Sequence, residues 1–150
     1  MSPIFGSVIA DVLYRERRAA YLVAVNESGA IAAVQGRAGY FLPGGGSLPG
    51  ETDEQTILRE VVEELGCGVT LTGRIGTARQ YFYALSDDCH YKMSAVFWSG
   101  ELVGEPVAGE YELLWLPPGT EERLFFHECH EWAIQIALDR RAGDVVIPQP

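Results

Sequence analysis

Three carboxylates, Glu60, Glu63 and Glu64, stand at i, i+3 and i+4, a spacing that makes them neighbours on the surface of an α-helix. On a helical wheel they fall within roughly 100° of one another. Two unit charges about 5 Å apart repel by about 3 kcal/mol at an effective dielectric of about 20. Between Glu51 and Leu65 the chain carries six acids and a single base, Arg59, so the cluster needs a further source of positive charge. A hard divalent cation supplies it, because Mg²⁺ takes oxygen ligands, commonly one or two carboxylates together with substrate phosphates. The plainer reading is a solvated acidic face, which is what most charge runs on helices are. What surrounds the cluster decides between the two.

From Thr52 to Leu65 the apolar residues Ile57, Leu58, Val61, Val62 and Leu65 form one stripe of a helix, and the glutamates project opposite that stripe. Thr52 followed by Gln55 is a capping-box start, Asp53 and Glu54 suit the positive end of the helix dipole, and Gly66 is a stop signal. Just upstream, Gly36–Gly50 reads as a loop with six glycines as well as Pro43 and Pro49. A loop of this composition lets the backbone approach a phosphate or a metal closely.

Gly45, Glu51, Arg59, Glu60, Val61, Glu63, Glu64, Gly66 and Cys67 fall on the spacing G-x5-E-x7-R-E-U-x-E-E-x-G-U, where U is a bulky aliphatic. This resembles the Nudix box, the signature of the Nudix hydrolases, over 23 residues. All seven positions of fixed identity match; the one departure is Cys67, a small apolar residue at the last aliphatic position. The resemblance reverses the reading of the cluster as a solvated face. It implies that Glu60 and Glu64 ligate Mg²⁺, with Mn²⁺ as the alternative ion, and that Glu63 adds a ligand or holds a metal-bound water. It further implies a ligand in the main-chain carbonyl of Gly45, and a Glu51–Arg59 ion pair tying the loop to the helix.

The reaction so implied is hydrolysis of a phosphoanhydride in a nucleoside diphosphate linked to another moiety. Nucleoside triphosphates, dinucleoside polyphosphates and ADP-ribose are the candidate substrates. The attacking group is a metal-activated water, and the chemistry needs positioning and charge stabilisation, with no nucleophilic triad. Family members often use a further acid outside the box; of Glu110 and Glu112, just before Trp115, Glu112 is the favoured candidate. The rival reading is a catalytically silent nucleotide-binding sensor of the same family, which usually carries a degraded box and a fused DNA-binding domain. An isomerase of isoprenoid diphosphates, sharing the fold, would need cysteine and glutamate contexts that the sequence does not offer.

Outside the box, Arg37 and Arg79 are candidates to grip a terminal phosphate. Tyr81 is a candidate among the aromatics Tyr81, Phe82, Tyr83, Tyr91, Phe97 and Trp98, one or two of which would stack a nucleobase; most of the six are expected in the core. Arg15, Arg17 and Arg18 read as a solvated turn. His127, Cys129 and His130 point in different directions on a helix, and Glu131 stands where H-E-x-x-H needs its second histidine, so a zinc site is not expected. His127 or His130 could instead line the substrate cleft, with ordinary surface residues at a helix start as the favoured reading.

The elements that must position these groups follow from pattern. Ile4–Leu13 and Ala20–Val25 are expected strands joined by a turn at Tyr14–Arg18, with a third strand at Ile31–Gln35. After the central helix come expected strands at Val69–Thr72, Ala78–Leu85, Tyr91–Ser99 and Leu113–Leu116. A second helix, Glu128–Arg140, is expected to face Trp132, Ala133, Ile136 and Ala137 inward. Strands on both sides of one helix plus a closing helix define the class as α/β (α+β), a Nudix-like α/β/α sandwich with a mixed sheet between helices.

With 150 residues, 47% hydrophobic and 21% charged, the chain is expected to form one domain over 1–150. A net charge of −10 offers no clustered Lys and Arg for a nucleic-acid duplex; the partner that the resemblance implies is a small nucleotide. A homodimer is common in the family and is carried as an expectation. Three scattered cysteines, Cys67, Cys89 and Cys129, make no disulfide framework. Without a basic secretory n-region or an apolar run long enough to span a bilayer, the protein is expected in the cytoplasm, away from membranes.

Overall fold

The computed structural model describes residues 2–117, 119 and 124–143. In chain order the elements are β1 (Ile4–Phe5), β2 (Tyr14–Val23), β3 (Ile31–Gly36), β4 (Gly39–Phe41), β5 (Gly44–Gly46), α1 (Asp53–Leu65), β6 (Gly68–Ala84), β7 (Cys89–Val103), β8 (Leu114–Leu116) and α2 (Glu128–Gly143). A five-stranded mixed sheet runs β1-β6-β7-β2-β5, and a three-stranded sheet runs β4-β3-β8.

β2 is the spine. It pairs in parallel with β7 from Tyr14 to Val23, while β5 pairs antiparallel with it only at Ala19–Tyr21. Successive strand side chains point to opposite faces, so its apolar half feeds two cores. Ala19, Tyr21 and Val23 pack with Cys129, Ala133 and Ile134 of α2, whereas Ala20 and Leu22 pack with Ile57, Val61 and Leu65 of α1. Each fully buried Ile, Leu or Val contributes on the order of 2 kcal/mol. Helices on both faces of a mixed sheet give the expected sandwich of layers.

Several boundaries differ from the expectation, each for a physical reason. Of Ile4–Leu13 only Ile4–Phe5 is a strand; Val8, Ile9 and Leu13 are exposed, since an apolar run without a surface to cover has nothing to fix it. Tyr14–Arg18 is no turn but the first half of β2. Its polarity reflects its position beyond the reach of β5, with one pairing partner and with Lys92 Nζ 3.6 Å from Glu16. Val69–Thr72 and Ala78–Leu85 are one bent strand, β6, whose register against β7 breaks between Leu71 and Gly73 and between Arg74 and Gly76. The glycine-rich loop contains the short strands β4 and β5.

In α1 the buried row is Ile57, Val61 and Leu65, joined by Thr56 and Glu64; Leu58 and Val62 are exposed. The glutamates are therefore not opposite the buried face, because Glu64 belongs to it. In α2 the fully buried positions include Cys129, His130 and Ile134, with Trp132 and Ile136 only partly covered. Of the six clustered aromatics only Phe97 is fully buried. The three cysteines are free, and no helix among the described residues is long and apolar enough to cross a membrane.

Candidate active site

The site forms where β5 presses against α1. At Gly44 the backbone sits at φ 137°, and a Cβ there would stand 2.2 Å from the carbonyl oxygen of Ala20; no larger residue fits beside β2. At Gly45 a Cβ would come within 2.9 Å of the carboxyl carbon of Glu60. This close approach lets the Gly44 N–H donate to Glu64 Oε1 at 2.8 Å. The expected capping box holds the start of α1. Thr52 N–H donates to Gln55 Oε1 at 2.9 Å, and Gln55 N–H to Thr52 Oγ1 at 3.2 Å. At the other end the Gly66 N–H closes the helix on Val62 O at 2.9 Å.

Arg59 ties the loop to the helix. Its Nε and Nη2 fork Glu51 at 2.7 and 3.0 Å, and Nη2 also donates to Gly46 O at 2.9 Å. Its Nη1 reaches Glu60 Oε1 at 2.9 Å and Glu63 Oε2 at 3.3 Å. Glu51 takes two further donors, Leu48 N–H at 2.9 Å and Thr56 Oγ1–H at 2.8 Å. Hydrogen bonding to Arg59 foremost, then to Leu48 N–H, lowers its carboxyl from 4.5 to about 2. A depressed carboxylate stabilises the fold above the unfolded value near 4.5 and loses that contribution as pH falls towards 2. Acid unfolding of Glu51→Gln, followed by circular dichroism, is expected to be less steep across that window; an unchanged slope contradicts the role.

The guanidinium fork also sets the Glu60 and Glu63 carboxylates, and a lysine cannot reproduce five divergent bonds to four partners. Arg59→Lys is expected to lower kcat/KM about a hundredfold, with catalytic positioning as the reason. Activity within threefold of the parent would exclude it.

Burial is the main influence on the carboxyls of Glu60 and Glu64. It raises Glu60, with Arg59 opposing. It raises Glu64 to about 8, with the Gly44 N–H opposing and Glu60, Glu110 and Glu63 adding to the rise. Glu63 is the outermost of the three, its side chain 53% exposed. Among the described residues no three acidic, imidazole or thiol side chains already converge on one point; Arg59 and the Gly44 N–H hold the carboxylates. The donor set nevertheless suits a hard divalent cation. It is all oxygen, and one carboxylate is buried beside a strand backbone where a side chain at Gly45 would collide with Glu60.

Beside this cluster opens a cavity of about 620 Å³. Gly44, Gly45 and Glu64 form one part of its wall. An aromatic group forms another: Phe41 and Phe126 are 5.6 Å apart, His127 is 4.5 Å from Phe82 and 4.8 Å from Phe126. Arg17 also lines it, 5.7 Å above the Tyr91 ring and close beside Gly46. Its Nε is buried with no hydrogen-bond partner among the described residues.

The structure therefore brings together Gly45, Arg59, Glu60, Glu63 and Glu64, and it places Arg37 on the cavity wall. Arg79 and Tyr81 lie away from that wall: Arg79 N–H donates to Pro3 O at 2.9 Å, and Tyr81 packs edge-on against Tyr14 at 5.2 Å. Glu112 is exposed. Its neighbours are closer to the chemistry, because Glu110 N–H donates to Glu63 O at 2.9 Å and Tyr111 N–H to Glu64 O at 2.8 Å. The Glu110 charge reaches Glu64, and Tyr111 lines the cavity.

Arg17 and His127 are the cavity residues that sequence pattern placed elsewhere. Arg17 is no solvated turn residue; extending the two-residue period back from Tyr21 and Ala19 puts it on their face of β2. His127 and His130 are not surface residues but 3% and 0% exposed, because the rings around them close over the start of α2. Burial, with Arg17 adding to it, lowers His127 to about 3.

The NUDIX domain family model matches residues 15–139, most of the chain. The chain belongs to the Nudix family. Its enzyme class is the Nudix hydrolases, which act on nucleoside diphosphates linked to another moiety and generally use divalent metals. No curated protein matches it. Among solved structures, the ORF135 protein of E. coli is similar at 18% identity and a TM-score of 0.64, over 89% of this chain and 96% of that one. A NUDIX hydrolase from Nitrosomonas europaea is similar at 19% identity and 0.61, over 90% and 98%. A MutT NUDIX hydrolase from Burkholderia pseudomallei is similar at 21% identity and 0.63, over 81% and 97%. These likenesses show the shared fold.

Proposed function

We propose that the chain hydrolyses a phosphoanhydride bond in a nucleoside triphosphate, dinucleoside polyphosphate or ADP-ribose-type compound, in the presence of Mg²⁺ or Mn²⁺. The observation that carries this reading is Glu64, an 8% exposed carboxylate in the wall of a 620 Å³ cavity. It receives one strand N–H and faces other acids, and no basic side chain among the described residues forms an ion pair with it. A buried carboxylate left so is costly, and a fold retains it where charge is to be bound. Glu60 and Glu64 would hold the cation, with Glu63 and the Gly45 carbonyl completing the set. When bound there, a divalent cation neutralises the diphosphate and lowers the pKa of the attacking water.

The chain's own groups supply the rest. Arg59 keeps Glu60 and Glu63 oriented, and Arg17 and Arg37 offer charge to the phosphates. The aromatic wall excludes water and gives a flat surface to a base. Both Glu110 and Glu112 are exposed, and for the group that takes the proton from the attacking water its electrostatic reach to Glu64 supports Glu110. Arg17→Ala is expected to raise KM about tenfold with kcat little changed, as for a contact made equally in ground and transition states. A fall in kcat at constant KM would contradict that role.

The reading is tested by incubating the protein with a panel of nucleoside diphosphate derivatives and Mg²⁺ or Mn²⁺ and identifying the products. Two phosphate-bearing fragments are expected. Tight nucleotide binding without cleavage would favour the sensor instead.

A further inference from the structure

Two histidines near the start of α2 carry ring nitrogens that the reading above leaves unused. His130 is wholly buried, and its Nδ1 accepts the backbone N–H of Leu42 at 3.2 Å. An imidazole nitrogen that accepts a hydrogen bond carries no proton, so the neutral ring holds its proton on Nε2. Burial keeps both rings neutral, His130 well below its ordinary range and His127 at about 3. The His130 Nε2–H has no partner among the described residues, and neither does the buried Nδ1 of His127. The two rings are neighbours, with centroids 5.0 Å apart, and the His130 N–H donates to His127 O at 3.1 Å. The phenylalanines packed about them, Phe41, Phe82, Phe97, Phe125 and Phe126, offer no lone pair, and the Tyr21 hydroxyl, which donates to Met93 Sδ at 3.7 Å, makes no hydrogen bond with His130 Nε2. A buried donor and a buried nitrogen side by side are each other's natural complement.

We propose that His130 Nε2–H is satisfied by His127 Nδ1, through one bridging water or a small ring rotation, so that His127 is fixed as the tautomer protonated at Nε2. His127 lines the cavity with Phe41, Phe82 and Phe126. The chain Leu42–His130–His127 then gives the substrate a permanent N–H donor set in an aromatic wall. Flat walls with one fixed donor select a nucleobase whose facing edge carries an oxygen. A 6-oxopurine or 4-oxopyrimidine is accepted, whereas its amino counterpart opposes donor to donor and leaves both unpaired. This selectivity rests on the cavity being the substrate site.

The test uses the full-length protein labelled with ¹⁵N-histidine. Nitrogen shifts are expected to show Nδ1 unprotonated and Nε2 protonated in both histidines, and a His127 protonated at Nδ1 overturns the proposal. Titration with inosine triphosphate is expected to move the His127 Nε2 signal at concentrations about tenfold lower than ATP does. Turnover with Mg²⁺ is expected to favour inosine triphosphate over ATP, and UTP over CTP, about tenfold in kcat/KM. His130→Asn keeps an acceptor for Leu42 N–H but has no donor where Nε2 was, so the preference is expected to shrink to within about threefold. Equal binding and turnover of oxo and amino nucleotides by the parent defeats the selectivity and leaves the hydrolytic reading standing. Selective binding with no cleavage defeats the hydrolytic reading and leaves the histidine chain standing.

Discussion

Glu64→Gln is expected to abolish hydrolysis while making the metal-free fold more stable at pH 8. Glutamine keeps an oxygen for the Gly44 N–H, which donates to Glu64 Oε1 at 2.8 Å, so the packing survives. What changes is charge. Burial first, with Glu60, Glu110 and Glu63 adding, raises the Glu64 carboxyl from 4.5 to about 8. A folded value above the unfolded one means that the folded state resists ionisation. The metal-free parent therefore loses stability as pH climbs from 4.5 towards 8. Since each pH unit of such a shift corresponds to about 1.4 kcal/mol, the variant gains on the order of a few kcal/mol at pH 8.

Turnover moves the other way, falling roughly a thousandfold, because removing one charged ligand forfeits several kcal/mol of charge stabilisation. Mg²⁺ at a hundred times its Kd would stabilise the parent by about 2.7 kcal/mol and leave Glu64→Gln unmoved. Melting curves at pH 5 and pH 8, with and without Mg²⁺, separate these effects. A variant less stable than the parent at pH 8 without metal, or one that retains turnover, would contradict the assignment.

Gly44→Ala is expected to damage the fold itself. The added methyl would meet backbone on two sides, 2.2 Å from Ala20 O and 2.7 Å from Tyr21 Cα, at φ 137°. Neither atom can yield without breaking the pairing of β5 with β2 at Ala19–Tyr21. Strain and overpacking together cost about 3 kcal/mol or more, a large share of a domain's stability. A fall in Tm of roughly 6 °C or more follows for a chain of this size, with loss of activity as the Gly44 N–H leaves Glu64. Gly73→Ala is the control, since nothing lies within 4 Å of its added Cβ; it should stay within about 0.5 kcal/mol of the parent. Equal melting of the two variants would remove the close approach of β5 from the account.

Much of this site is legible in the sequence because its determinants are local. The Thr52–Gln55 capping box, the Gly66 stop and the Glu51–Arg59 fork all act within the loop and helix that carry them. The substrate side is not local. Arg17 sits in a run of charges that resembles a turn, and only its parallel pairing with Met93 on β7 keeps the strand going and aims it inward. His127 and His130 look like surface residues at a helix start until Phe41, Phe82 and Phe97 close over them from three other parts of the chain. The three glutamates are neighbours on α1, as their spacing requires, but they are not the outward face that the wheel suggests. Its wheel position gives Glu64 no sign of burial, which comes from β5 crossing above it.

Hydrolysis in excess chelator, followed by addition of Mg²⁺ back to the same sample, tests the central assignment most directly. With the best nucleoside diphosphate derivative from the panel, the parent is expected to be silent in chelator and to recover full turnover on Mg²⁺, while Glu64→Gln stays silent throughout. Cleavage that persists in chelator, or a Glu64→Gln variant that recovers with the parent, would contradict it.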